Sequence, residues 1–374
     1  MIPPKTCADA VRSLLPGIDT ACAGIRDPEQ RAGHQLAMAR IHHLLGDHDA
    51  ARRAADQART EAAQAQAAGA TPMLDPAVIH AFLMVGERTA AREMLLERLG
   101  AAWKVSDPED RRIRVLLLLE MAGVLGDKET LSKGIALVRA RDPKGFAAEE
   151  TRDLLAGAWL VAGDTDRAIA LSNTLPTTRR AVLHATIATA RRTRGDRAGA
   201  AAAMAKVLPW VAAEKDETLR EMTLGIVLAE MARQGDTAAA LRRAGRSPAL
   251  RRSVAEALLE SGKLEQGLAV GAPPRPTTIY ALAQRGEIER ARQALATVTK
   301  DHGYFMQDDV VRMVAAVAAA AARAGDMEAF GRHLAEGRAL ATTKDPVFGD
   351  TSASMLLSFA EALLTGGWRP NPRR

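Results

Sequence analysis

The chain has 374 residues, a formal net charge of +6, 47% hydrophobic residues and only 3% aromatic ones. Its core must therefore be built from Ala, Leu, Val, Ile and Met, and the lack of alternating β-branched runs excludes a strand-rich fold. Two cysteines, Cys7 and Cys22, are too few for a disulfide framework or a thiolate zinc site. The opening residues include Pro3, Pro4, Lys5, Cys7 and Asp9 with no apolar leader, and Val115 to Leu119 and Val314 to Ala322 fall short of a membrane span. A cytoplasmic protein is the expectation.

Taken in chain order, residues 1–28 predict an N-terminal capping segment. It has one short helix around Ala8 to Leu15 and a loop at Pro16 and Gly17. An apolar helical stretch from Leu36 to Leu45 then meets Gly46-Asp47, and a second stretch follows from Ala50 to Ala65. This glycine–acid doublet recurs at Gly86-Glu87, Gly126-Asp127, Gly163-Asp164, Gly195-Asp196, Gly235-Asp236, Gly286-Glu287 and Gly325-Asp326. Gly262-Lys263 is a worn copy, and Gly366 closes the last helical pattern. The glycines lie 40, 40, 37, 32, 40, 27, 24, 39 and 41 residues apart. Repetition at that period predicts an all-α, right-handed α-solenoid of about nine helix-turn-helix hairpins over residues 29–366. Residues 367–374 form a flexible basic tail in this reading.

Each doublet has a mechanical reason. Glycine supplies the left-handed conformation that ends one helix, and the carboxylate after it caps the N–H groups of the next. Five residues beyond the glycine stand Ala51, Ala91, Leu131, Ala168, Ala200, Ala240, Gly267, Ala291 and Phe330, placed to face the first helix. Eight before it stand mostly Val, Leu, Ile or Met; four before it stand mostly apolar residues, with His42 and Arg191 as exceptions. These two positions share a helical face and predict the core. Pro72, Pro76, Pro108, Pro143, Pro176, Pro248 and Pro276 punctuate the units, and Pro273-Pro274 marks a kink.

Leu155, Ala156, Trp159, Gly163, Asp164 and Ala168 make the clearest single copy, and on such residues the chain resembles a tetratricopeptide-type repeat protein over roughly residues 30–366. The spacings of 24 and 27 residues and the aliphatic residues at most aromatic positions depart from that family's pattern. The resemblance implies stacked helical hairpins whose first helices line a surface that holds a partner.

No phosphate-binding glycine loop, zinc-protease helix or nucleophile elbow is present, so no cofactor, metal or catalytic residue is expected. His42, His43 and His48 gather at the first turn without a thiol or carboxylate set to complete a metal site, and His184 and His302 read as isolated. Charge placement is the sharper signal. Residues 151–300 carry +8 and the remainder −2, and Arg outnumbers Lys by 41 to 10. Arg179, Arg180, Arg191, Arg192 and Arg194 crowd one unit; Arg233, Arg242, Arg243, Arg251 and Arg252 follow. They read either as a binding ridge or as a solvated face enriched by codon usage. Trp210 is the one aromatic residue between 160 and 279, which disfavours base stacking and favours an acidic protein partner over nucleic acid.

The residues before each glycine also change along the chain, from Leu44-Leu45 and Met84-Val85 to Arg233-Gln234 and Gln284-Arg285. This predicts a groove that grows more polar toward its C-terminal half. The expected function is a non-enzymatic scaffold or adaptor for a protein or peptide, without insertion into a membrane. Nucleic-acid binding by the basic middle and a peptide- or metabolite-sensing module are the alternatives.

Overall fold

A computed structural model describes residues 6–67, 74–270, 275–300, 307–342 and 352–367. Pro72, Pro273, Pro274, His302 and the basic tail beyond Gly367 lie outside them. Among the described residues all regular structure is α-helical. The chain begins with α1 (Cys7–Ala23), α2 (Pro28–Leu44), α3 (His48–Ala67), α4 (Leu74–Met84) and α5 (Arg88–Ala102). It continues through α6 (Pro108–Leu125), α7 (Lys128–Arg141), α8 (Pro143–Ala147), α9 (Glu149–Val161), α10 (Thr165–Ser172) and α11 (Thr177–Thr193). Next come α12 (Arg197–Ala212), α13 (Glu217–Gln234), α14 (Thr237–Ala244), α15 (Pro248–Glu260) and α16 (Leu264–Ala269). The last are α17 (Pro276–Gln284), α18 (Ile288–Lys300), α19 (Gln307–Ala324), α20 (Met327–Thr342) and α21 (Ser352–Thr365).

The doublets are the turns between these helices. All ten glycines of the series adopt positive φ, from 66° at Gly366 to 102° at Gly235, and no other residue type does so among the described residues. The N–H of the next residue reaches the carbonyl five positions back: Asp47 to His42 at 2.9 Å, Asp164 to Trp159 at 2.9 Å, Asp196 to Arg191 at 3.0 Å. This bond satisfies a carbonyl that the helix end would otherwise leave open. The acid then turns to the following helix. Asp127 accepts from the Thr130 N–H, Asp164 from Arg167, Asp196 from Gly199 and Asp326 from Ala329. Asp236 makes no such cap.

Packing follows the same register. Every residue five after a glycine is buried, from Ala51 to Phe330. So are the residues eight before it, except Ser358, and those four before it, except His42 and Arg191. Some glycines outside the turns serve close approach. A Cβ on Gly123 of α6 would lie 2.6 Å from the Ala158 carbonyl oxygen of α9, so these two backbones meet where no side chain fits.

The chain divides into two compact units, Met1–Ala91 with Pro273–Pro372 and Arg92–Ala272. In the first, α21 packs against both α1 and α2, so helices from the two ends of the sequence share one core. A buried charge group joins them. Arg312 of α19 is 2% exposed; it lies 3.5 Å from Glu361 of α21 and donates to the Gly367 carbonyl at 3.2 Å. Arg40 of α2 stands 3.5 Å from the other oxygen of the same carboxylate. Helix α1 corrects the expected loop at Pro16 and Gly17, because it runs unbroken through both. Pro16 removes one helical hydrogen bond, but Ala10, Val11, Leu14 and Ile18 are buried on one face, and that burial holds the helix together across the gap.

In the second unit the first helices of successive hairpins, α6, α9, α11, α13 and α15, pack side by side. Thr189 of α11 bonds Glu230 of α13, and Arg233 of α13 meets Glu260 of α15 at 2.7 Å. Ser247, the N-cap of α15, donates to Glu221 of α13 at 2.8 Å. These contacts set neighbouring helices in register, so equivalent positions line up across the sheet of helices.

Candidate functional site

The ten arginines singled out from the sequence do not form one ridge of free charge. Arg179 bridges Glu150 and Asp153 of α9, each at 3.1 Å. Arg180 donates to the Leu175 carbonyl at 2.8 Å and lies over the Trp210 ring, 5.4 Å from its centre. Arg192 donates to the Arg233 carbonyl at 2.8 Å, tying α11 to α13. Arg233 is held between Glu230 and Glu260. Burial alone would lower its basicity, but the two carboxylates outweigh this and raise its pKa. These four side chains are therefore occupied in holding helices together.

Arg191 is a fifth. It stands at a position that is apolar in most units, and its guanidinium lies 3.9 Å from Asp196 and 3.3 Å from the Gly199 carbonyl it donates to. His42 occupies the same position in the first hairpin, with Nδ1 3.8 Å from Asp47. In both units a basic residue replaces the apolar one and faces the acid of its own turn. That is a local closure of the hairpin, and the two sequence exceptions share one physical explanation.

The remaining five differ. Arg194 is exposed and leans over the preceding turn at Gly163. Arg242 and Arg243 are exposed at the end of α14 and form no ion pair among the described residues. Arg251 donates to the Gly245 carbonyl at 3.4 Å, and the half-buried Arg252 has an Nε without a hydrogen-bond partner there. Arg246, between the two pairs, is also exposed. The stretch from Thr237 to Ala255 thus carries five arginines and no acid.

The His43 and His48 rings meet edge to face at 6.1 Å, and among the described residues no cluster of three or more potential ligands gathers for a metal. His184, which reads as isolated in the sequence, is buried in α11. Its Nε2 lies 3.0 Å from the Ser172 hydroxyl, and its ring stacks edge to face on Trp210 at 4.9 Å. Ser172 donates its own proton to the Ile169 carbonyl, so the imidazole is the donor toward the serine. Its Nδ1 faces no hydrogen-bond partner among the described residues. Burial, with Lys206, Arg180 and Arg191 nearby, lowers its pKa from 6.5 to about 4. The buried pair packs α11 against Ser172 of α10 and Trp210 of α12.

The feature the sequence reading missed is apolar. Leu219, Met222 and Ile226 of α13 are 42%, 58% and 39% exposed. Their spacing puts them on one stripe of the helix. The opposite stripe, with Val227, Leu228, Met231 and Ala232, is buried. Helix α13 is therefore apolar on two faces, and among the described residues only one is covered. The signal was present in the sequence as an i, i+3, i+7 series, but the buried face in the same helix obscured it. At the positions equivalent to Met222 and Ile226, α11 carries Val182 and Thr186 and α15 carries Ala249 and Ser253, whereas the positions equivalent to Leu219 are Arg179 and Arg246.

Before the doublets, Leu44 and Val161 are exposed, whereas Leu125 is buried. Thr193, Arg194, Gln284 and Arg285 are exposed at the corresponding places later in the chain. No helix among the described residues is long and apolar enough to cross a membrane. No protein-family model matches the chain. A search of curated proteins finds no match either.

Proposed function

We propose that this chain is a non-enzymatic interaction scaffold of tetratricopeptide-like hairpins, holding a protein or peptide partner on the faces of its first helices. The observation that supports the reading best is the exposed stripe of Leu219, Met222 and Ile226. Apolar side chains on a helix that already buries a full face cost solubility, and contiguous patches of this kind mark contact surfaces. The ordered hairpins around α13 supply rigidity, so binding there sacrifices little conformational freedom.

The test is affinity capture from the native cell with the full chain, compared with Met222→Asp. Loss of specific partners with Met222→Asp, at unchanged helix content and melting temperature, is the expected result. Identical partners from both proteins would remove this face from the account. Nucleic-acid binding is the second reading, favoured by the unpaired Arg242, Arg243 and Arg246. A gel shift that weakens steeply with salt would support it.

A further inference from the structure

The corner between α14 and α15 lies beside the apolar stripe of α13, and the two together define a partner. Helix α14 ends in Arg242 and Arg243, the chain turns at Gly245, and Arg246 precedes the Ser247 cap of α15. Ser247 is bonded to Glu221, the residue next to Met222. Arg246, directly before Ser247, stands in sequence between the guanidiniums of α14 and the residue bonded beside Met222.

The acids at this end of the unit keep their charge, and each has a local partner. Glu221 accepts from Ser247, Asp216 caps the Leu219 N–H at 2.9 Å, Glu214 accepts from the Asp216 N–H, and Glu217 stands 3.6 Å from Arg220. Arg242, Arg243 and Arg246 have no such partner among the described residues. Their charge is directed to solvent, and attraction for an anionic group is what remains.

We infer that this surface binds an acidic polypeptide segment whose carboxylates meet Arg242, Arg243 and Arg246 while neighbouring apolar side chains cover Leu219, Met222 and Ile226. The inference rests on the scaffold reading and names the chemistry of its partner. A nucleic acid would use the guanidiniums but leave the apolar stripe bare. No aromatic residue lies on α13, α14 or α15 for a base to stack on. A polypeptide with an acidic end and an apolar face uses both.

The experiment is fluorescence anisotropy with the full chain and a labelled amphipathic helical peptide carrying a Leu–Ile stripe that ends in a run of Glu. Control probes replace the Glu run by Gln or the Leu–Ile stripe by Ser, and a single-stranded oligonucleotide serves as a phosphate probe. The acidic–apolar peptide should bind tightest. Its affinity should fall about tenfold or more at low salt when Arg242, Arg243 and Arg246 are all changed to Glu, because attraction becomes repulsion. Met222→Ser with Ile226→Ser should weaken it independently. All five side chains are exposed, so unchanged circular dichroism and melting temperature are expected of both variants. Equal binding by wild type and variants overturns this site and leaves the scaffold reading standing, since the peptide is then held elsewhere. Preference for the oligonucleotide overturns the inference in favour of phosphate recognition. Failure of wild type to bind the acidic–apolar peptide overturns the inference, while the scaffold reading falls only if the native capture yields no specific partner.

Discussion

Acidification should weaken the second unit through His184, and the structure gives both the sign and the size. The folded protein keeps this imidazole neutral down to about 4, against 6.5 for an ordinary histidine. Above pH 6.5 neither the folded nor the unfolded form binds the proton, and stability is at its full value. As the pH falls from 6.5 toward 4 only the unfolded chain binds it, so stability is lost through that window and then levels off. Each tenfold change in proton affinity is worth about 1.4 kcal/mol, which makes the total loss about 3 kcal/mol and the loss by about pH 5 roughly 2 kcal/mol. The cause is geometric: a proton on Nδ1 would be buried without an acceptor, close to three cations. Urea unfolding of wild type and His184→Gln, compared at about pH 8 and pH 5, isolates the term, because carboxylates and other histidines contribute equally to both. The wild type should lose roughly 2 kcal/mol more than the variant over that interval. Parallel pH profiles would refute the reasoning, and would mean that water reaches Nδ1 readily.

Five further substitutions probe the hairpin construction. Gly123→Ala should destabilise by about 2–4 kcal/mol, because its methyl would meet the fixed Ala158 backbone, whereas Gly157→Ala in α9 has open space and should stabilise by about 0.5–1 kcal/mol; chemical denaturation separates the two. Glu361→Gln removes the carboxylate that faces buried Arg312 and should cost more than Arg40→Gln, which on the exposed side of the same carboxylate should cost about 1 kcal/mol or less. A similar loss from both, read by thermal melting, would show that the group is open to water. Arg191→Met restores the apolar residue found at this position in Met231 and should change stability by no more than about 1 kcal/mol, with no loss of partner binding; a marked loss of partner binding would return Arg191 to the contact surface.

Much of the local architecture was legible because the doublet combines two requirements that few residues meet. Glycine accepts the left-handed turn without strain, and an acid after it, most often Asp, is placed to cap the next helix. Gly46 to Gly366 therefore located the turns, and Ala51 to Phe330 located the buried contacts opposite them. Pro16 misled, because its local cost was weighed without the buried face of α1 that offsets it. The basic middle was legible as composition but not as function. Whether Arg179 or Arg233 is free depends on carboxylates of neighbouring hairpins, Glu150, Asp153 and Glu260, that no local pattern assigns to them. Leu219, Met222 and Ile226 were hidden for a related reason. Apolar periodicity shows that a face is greasy, and only the packing of α11 and α15 shows that this one stays uncovered.

The most direct test of partner binding on the first helices places a photo-crosslinking amino acid at Ile226 in one protein and at Ala201, on the exposed face of α12, in another. Irradiation in the native cell should yield a discrete adduct from the Ile226 position and none from Ala201. An adduct from Ala201 alone would contradict the account, because the partner would then lie on the second helices.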